Sequence, residues 1–326
     1  MASFGFAFGQ NNRNNNDSVN VYTFFVNVVN ERFLPPLLGF VNIAHGNHYL
    51  PQIGFINWNT SDFNTLQLGF VNTIGKNLNG AQIGFVNTVA GGNSNGLQLG
   101  FINTTVKNLS GAQIGFINTV ANGKSNGLQL GFINTTVRNF NGAQIGFINT
   151  AVDGNSSGIQ LGFINYVDSI ENGVPIGFLS FVKNGGYKAI QLSAGEIAPV
   201  SFSFRTGIRK FYTSLGVSYN PFNDGIDNQI FFSFGIGSII DINEKFFINP
   251  EIESYNSLNE YSRLYISFTP NIGYNIKENI AVLAGPSVSW DRGTNEKNSF
   301  INLLEYKLNA DNSLIFGARI ALRFQF

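Results

Sequence analysis

Two histidines, two glutamates and a set of arginines are the residues of this chain whose types and spacing could do chemistry. His45 and His48, in "AHGNHYLP", stand three apart, which on a helix would put both imidazoles on one face within reach of a zinc ion. They fall instead in a turn between two repeats, with no carboxylate or third ligand near in sequence, so they read as structural or solvent-exposed. Glu251 and Glu253 share one face of a strand, a pairing that acid–base catalysis uses. With Arg205, Arg209, Arg263, Arg319 and Arg323 they would instead form a charged network inside a barrel, and an ion-paired core is its expected role. Asn/Gly turns such as "GGNSNG" lack the paired aspartates of calcium-binding repeats. Both histidines lie among the repeats, which leaves the barrel strands no Ser/His or Asp/His pair. The chain is therefore read as a non-enzyme with no catalytic, metal or cofactor residues.

The elements that must position these residues follow from composition. In 326 residues there are 19 basic and 19 acidic side chains, no cysteine, 37 glycines and 33 phenylalanines, a mixture that suits strands and turns. Zero net charge argues against nucleic acid. Absence of cysteine removes disulfides, thiolate metal sites and a lipidated cysteine. No run of about 18 apolar residues is present, so residence in a membrane would have to be as a barrel. The N-terminal "MASFGFAFGQNNRNNND" reads either as the tail of an export signal cut near Gln10 or as a first strand.

A repeat dominates the first half. The glycines of "[QLP][IL]GF" fall at Gly39, Gly54, Gly69, Gly84, Gly100, Gly115, Gly131, Gly146, Gly162 and Gly177, spaced by 15 or 16 residues. From Gly69 onward "QLGF" and "QIGF" alternate, as do their linkers, so the full period is a pair of about 31 residues. Each unit reads as a strand closed by an Asn/Gly turn. Strict alternation would put Leu97, Leu99, Phe101 and Asn103 on one face, and the Phe101, Phe116, Phe132 and Phe147 ladder in a packed interior. An apolar band roughly 25 Å tall needs about five outward apolar residues per strand, and these strands supply fewer. Asn103, Asn118, Asn134 and Asn149 recur where stacked amides could bond one another. A β-solenoid is favoured over hairpins of a large barrel.

From Tyr187 the pattern changes. "SLIFGARIALRFQF" puts Leu314, Phe316, Ala318, Ile320, Leu322, Phe324 and Phe326 on one face and Gly317, Arg319, Ala321, Arg323 and Gln325 on the other, the dyad alternation of a membrane-spanning strand. About eight such strands fit between 187 and 326, joined alternately by tight turns ("RK", "DINEK", "IKEN") and longer loops. Pro250, Pro270 and Pro286 fall inside strands and should cost ladder donors. Tyr219 and Trp290, near strand ends, suit a membrane-interface belt.

A chain ending in phenylalanine after such alternation resembles bacterial outer-membrane barrels, whose last strand and terminal aromatic, here Phe324 and Phe326, are read by the barrel-assembly machinery. The "GLQLGFIN" units resemble a surface-repeat family of spirochaete and Bacteroidota envelope proteins, some of them lipoproteins; this chain lacks their cysteine. The resemblances imply an outer-membrane location in a Gram-negative-type cell, with outer-membrane lipid and the assembly machinery as partners and an envelope protein or surface ligand left unnamed. The expected layout is an N-terminal segment over 1–17, an all-β repeat domain over 18–182 and a transmembrane antiparallel barrel over 183–326. An even strand count returns residue 187 to the side of the C-terminus, beneath the membrane, which sits awkwardly with surface repeats. The alternative is one large barrel of about 18–20 strands acting as a channel or transporter.

Overall fold

A computed structural model describes residues 20–222, 229–257, 264–292, 304–309 and 312–326. The segment over 1–17 and Arg263 lie outside these residues. The protein is all-β, and among the described residues no helix is long and apolar enough to cross a membrane. It divides into two compact units, one ending at Val174 and one beginning at Pro175.

The first unit is a solenoid of parallel rungs. Up to Thr136 each repeat makes two short strands, such as Leu97–Leu99 and Ile102–Thr105, separated by a bend at Gly100–Phe101; the next two are continuous strands, Ala143–Ser156 and Ile159–Ile170. Apart from Val21–Tyr22, which pairs antiparallel with Val26–Asn30, the strands pair in parallel with their counterparts in neighbouring coils: Gln98 faces Gln82 and Gln113, and Asn103 faces Asn87 and Asn118. A third side is a column of single parallel bridges through His48, Phe63, Leu78, Ser94, Leu109, Ser125, Phe140 and Ser156. Parallel coils cannot be staves of an antiparallel barrel, so the single large barrel is excluded.

The bend overturns the expected facing. Gln98 and Asn103, five residues apart, both point inward and are fully buried, whereas Leu99 and Phe101 stand on the outside. Strict alternation fails because the backbone turns a corner at Gly100 and Phe101, which shifts the phase of the second strand. The core thus contains amide ladders where the Phe101 column was expected. Asn103 Nδ2 donates to Asn118 Oδ1 at 2.9 Å and to the Ile114 carbonyl at 3.0 Å; Gln113 Nε2 donates to Gln98 Oε1 at 2.8 Å and to the Thr119 carbonyl at 3.1 Å. With both amide hydrogens committed, burial of these groups carries little desolvation penalty. The asparagine chain donates toward later coils and the glutamine chain toward earlier ones, so their dipoles oppose.

The same interior explains the two-coil period. Where the strand ends in Val89 or Val120, the third side holds Ser94 or Ser125; where it ends in Thr105 or Thr136, it holds Leu109 or Phe140. Each of these four coils therefore buries one polar and one apolar side chain there, whereas the coil before them pairs Ile74 with Leu78. Thr105 Oγ1 also donates to Gln98 Oε1 at 2.9 Å. Glycine at the bend is dictated by close approach: a Cβ on Gly115 would collide with the Gly100 carbonyl oxygen and lie 2.6 Å from Asn103 Nδ2. A further rung precedes the first ruler glycine. "FFVN" at 24–27 has Phe24 in the glycine position, yet Val26–Asn30 pairs with Val41–His45 and Asn27 Nδ2 donates to Asn42 Oδ1 at 2.7 Å.

The second unit holds a closed antiparallel barrel of eight strands: β1 (Tyr187–Ala194), β2 (Val200–Ile208), β3 (Phe211–Tyr219), β4 (Ile230–Gly237), β5 (Phe246–Ser257), β6 (Leu264–Lys277), β7 (Ile280–Arg292) and β8 (Asn312–Gln325). Each pairs with the next, and β1 closes on β8 with Ala189 opposite Gln325. That register sets the start of β1 on the rim that carries the end of β8 and the tight turns. Alternation is clear along β6: Ile266, Phe268 and Ile272 face outward while Tyr265, Ser267, Thr269 and Asn271 are buried. The prolines fall in register on the outward side. Pro250 lies opposite Pro270, and the β6–β7 ladder passes from Phe268 opposite Val288 to Ile272 opposite Ala284 with no pair at Pro270 and Pro286. Two residues without donors thus share one gap, and β5 and β6 stay in register through it.

Candidate functional site: the barrel lumen

The lumen gathers five of the seven charged residues named from sequence. Arg205 on β2, Arg319 and Arg323 on β8, and Glu251 and Glu253 on β5 are all buried. None of the three strands is adjacent to another in the sheet, so these contacts cross the bore. Arg205 Nε donates to Glu251 Oε1 at 2.9 Å, and its Nη1 donates to Ser203 Oγ at 2.7 Å. Arg319 reaches both glutamates, Nη2 to Glu251 and Nη1 to Glu253. Arg323 Nη2 donates to Glu251 Oε1 at 3.1 Å and Asn249 Oδ1 at 2.6 Å, while its Nε donates to Gln191 Oε1 at 2.8 Å.

Neutral groups complete the carboxylates. Tyr212 Oη donates to Glu251 Oε1 at 2.6 Å, Asn271 Nδ2 to Glu251 Oε2 at 3.2 Å, Tyr255 Oη to Glu253 Oε2 at 2.8 Å and Ser214 Oγ to Glu253 Oε1 at 3.1 Å. The arrangement is that of an ion-paired core, whose charges are tolerable because their partners are built in.

Arg209 is not part of this network. It follows the last residue of β2, in the two-residue turn, is half-exposed, and pairs with Asp241 at the rim. Counting alternate residues past Ile208 carried the inward parity into a turn where it no longer applies.

Glu196 is a lumen charge that sequence reasoning missed. It belongs to the short loop between β1 and β2, yet is buried, and accepts hydrogen bonds from Ser287 and Ser289, both at 2.6 Å, and from Ser267 at 3.4 Å. The inward serines on β6 and β7 were the available signal, since three hydroxyls on one lumen wall call for an acceptor. Beside it lies a cavity of about 10 Å³ lined by Glu196, Tyr255, Ser267 and Arg319, room for a single water.

Apolar layers close both ends. Near the tight turns Tyr187, Tyr212, Phe247 and Leu283 pack together, and near the long loops Ile197, Phe231, Tyr255, Tyr265 and Ile315 do so. The lumen is thus filled from rim to rim, as eight strands allow. Outside, an apolar wall that includes Leu192, Ile252, Ile266, Phe268, Ile272 and Ile320 is exposed. Aromatic residues mark its two margins: Phe246, packed on Tyr274 at 5.1 Å, and Phe324 at the tight-turn rim, Tyr219 and Trp290 at the other. Phe326 is exposed, and its backbone N–H donates to the Lys188 carbonyl at 3.1 Å.

The histidines are not brought together. His45 is exposed at the end of its strand; Gly46, at a φ of 87°, turns the chain, and His48 is buried in the third-side column. Burial pushes the His48 pKa down, opposed in part by the Phe33 backbone. Among the described residues no three metal-ligating side chains form a cluster.

No family model matches the chain, and no curated protein does. One solved structure with a likeness is the crystal structure of Neisserial surface protein A, at 10% sequence identity and a TM-score of 0.26, covering 44% of this chain and 97% of that one.

Proposed function

We propose that this chain is a non-enzymatic outer-membrane protein whose eight-stranded barrel is an anchor, not a pore, and whose solenoid has a structural or binding role. The observation that carries the reading is the inversion of polarity across the barrel wall, with ion pairs inside and an aromatic-edged apolar surface outside. Only a hydrocarbon surround makes that wall favourable, because a bilayer-facing strand must be apolar on alternate residues while its backbone pairs with neighbours. Partners of this kind are outer-membrane lipid and the barrel-assembly machinery, which would read Phe324 and Phe326 at the end of β8. The test is the full-length chain expressed with an export signal. It is expected in the outer-membrane fraction with gel mobility that shifts on heating; a soluble chain of unchanging mobility would refute the anchor.

A further inference from the structure

The outside of the solenoid carries a feature that an anchor alone does not use. Phe40, Phe55, Phe70, Phe85, Phe101, Phe116, Phe132, Phe147 and Phe163 form one column, adjacent rings 4.9–5.0 Å apart and within 6° of parallel. Each ring is 42–55% exposed, and a parallel column of Ile53, Leu68, Leu99, Leu130, Ile145 and Leu161 is also exposed. The rings alone leave on the order of 700 Å² of apolar surface open, above the largest patch of an ordinary soluble monomer. Over the span of the column, Phe40 to Phe163, the basic residues Lys76, Lys107, Lys124 and Arg138 outnumber the acidic Asp62 and Asp153, and all six lie in the corners between coils, none in the strip.

We infer that this strip is a membrane-docking edge: the phenylalanine column enters the outer part of a lipid leaflet, and the basic corners meet its anionic headgroups. The inference rests on the reading of the barrel as membrane-spanning, which keeps a bilayer within reach of a solenoid covalently continuous with it. Stacking covers the ring faces and leaves only their edges, so the column cannot lay rings flat on sugars. A second copy docked edge to edge would bring two net-basic sets of corners together. A lipid surface accepts ring edges in any register and supplies the opposite charge, the pattern of amphipathic surfaces that lie in the interface.

The chain has no cysteine, so single cysteines report unambiguously. Full-length Phe116→Cys, Phe147→Cys, Lys107→Cys and Ile272→Cys variants, labelled with an environment-sensitive fluorophore, are reconstituted in phosphatidylcholine–phosphatidylglycerol vesicles holding nitroxide-labelled lipid. Quenching at 116 and 147 should be several-fold stronger than at 107 and approach that at 272, on the barrel wall. Quenching at 272 with none at 116 and 147 would overturn the docking edge while leaving the barrel in place. A blue-shifted label at 116 that lipid quenchers cannot reach would mean that protein covers the strip, and would overturn it equally. Loss of quenching at 272 would bring down the membrane reading itself.

Discussion

Arg205 and Glu251 meet at 2.9 Å across the bore of the barrel, from strands separated by two others in the sheet. Glu251 also receives Arg319, Arg323, Tyr212 and Asn271, so one carboxylate holds together donors from four strands. Replacing Glu251 with alanine leaves Arg205 and Arg319 with Glu253 alone and takes from Arg323 its carboxylate partner. The expected destabilisation is about 3–5 kcal/mol, the cost of breaking a buried pair by removing one partner. Glu251→Gln, which keeps acceptor and volume but not charge, should fall between. Urea titration of the compact gel form measures both; an alanine variant as stable as the parent would show that the network does not hold the barrel.

The two apolar layers make a separate prediction about conduction. Paired truncation, Arg319→Ala with Glu253→Ala, removes charge in balance from the middle of the lumen and leaves the layers around Phe247 and Phe231 intact. Planar bilayers containing either the parent or this double variant should remain electrically silent. Discrete conductance steps from the parent would mean that the filled lumen opens and that the anchor reading is wrong.

The unequal legibility of the two halves has a physical origin. Membrane strands impose alternation on long runs, so the inward facing of Arg319, Arg323, Glu251 and Glu253 could be counted from sequence. It failed at Arg209 because the strand had ended, and it could not see Glu196 because a short loop folds inward with no periodicity. In the solenoid the period was plain, but its phase was hidden by the Gly100–Phe101 bend, which sends Gln98 and Asn103 to the same interior despite their odd spacing. Hydrophobicity misled there, since amides bonded to their own repeats are the cheaper residues to bury.

That inversion predicts contrasting costs for neighbouring substitutions. Asn118→Leu leaves Asn103 Nδ2 short of an acceptor, and leaves Asn134 Oδ1 and the Leu130 carbonyl short of a donor. With about 1–3 kcal/mol for each unsatisfied buried group, a loss of several kcal/mol is expected despite the gain in hydrophobicity. Phe116→Ser, two residues away on the outside, should cost about 1 kcal/mol or less. Chemical denaturation of the full chain, read by the far-UV signal, ranks them; a larger effect at Phe116 would contradict the amide core.

Gly115→Ala tests the bend. Its added methyl group would meet the Gly100 carbonyl of the preceding coil, which cannot withdraw without breaking the parallel ladder. A loss of at least about 1–3 kcal/mol is expected, the range for overpacking. Gly111→Ala, whose Cβ would also strike the backbone of the coil before it, should behave alike, since stacking and not a left-handed turn sets both requirements.

His48 supplies the pH dependence. It occupies the column position filled elsewhere by Phe63, Leu78 and Leu109, and burial lowers its pKa below the ordinary imidazole value of about 6.5. The unfolded chain therefore binds the proton more tightly than the folded one. Its contribution to stability is fully present above about pH 6.5 and declines as pH falls below it, until the lowered folded pKa is passed. His48→Leu removes the titrating group and keeps an apolar filler used twice in the same column. Hydrogen exchange of the rungs around Asn42 and Asn57 should speed up between pH 7 and 5 in the parent and not in the variant, after correction for the intrinsic rate. Equal behaviour of the two proteins would assign acid sensitivity to another group.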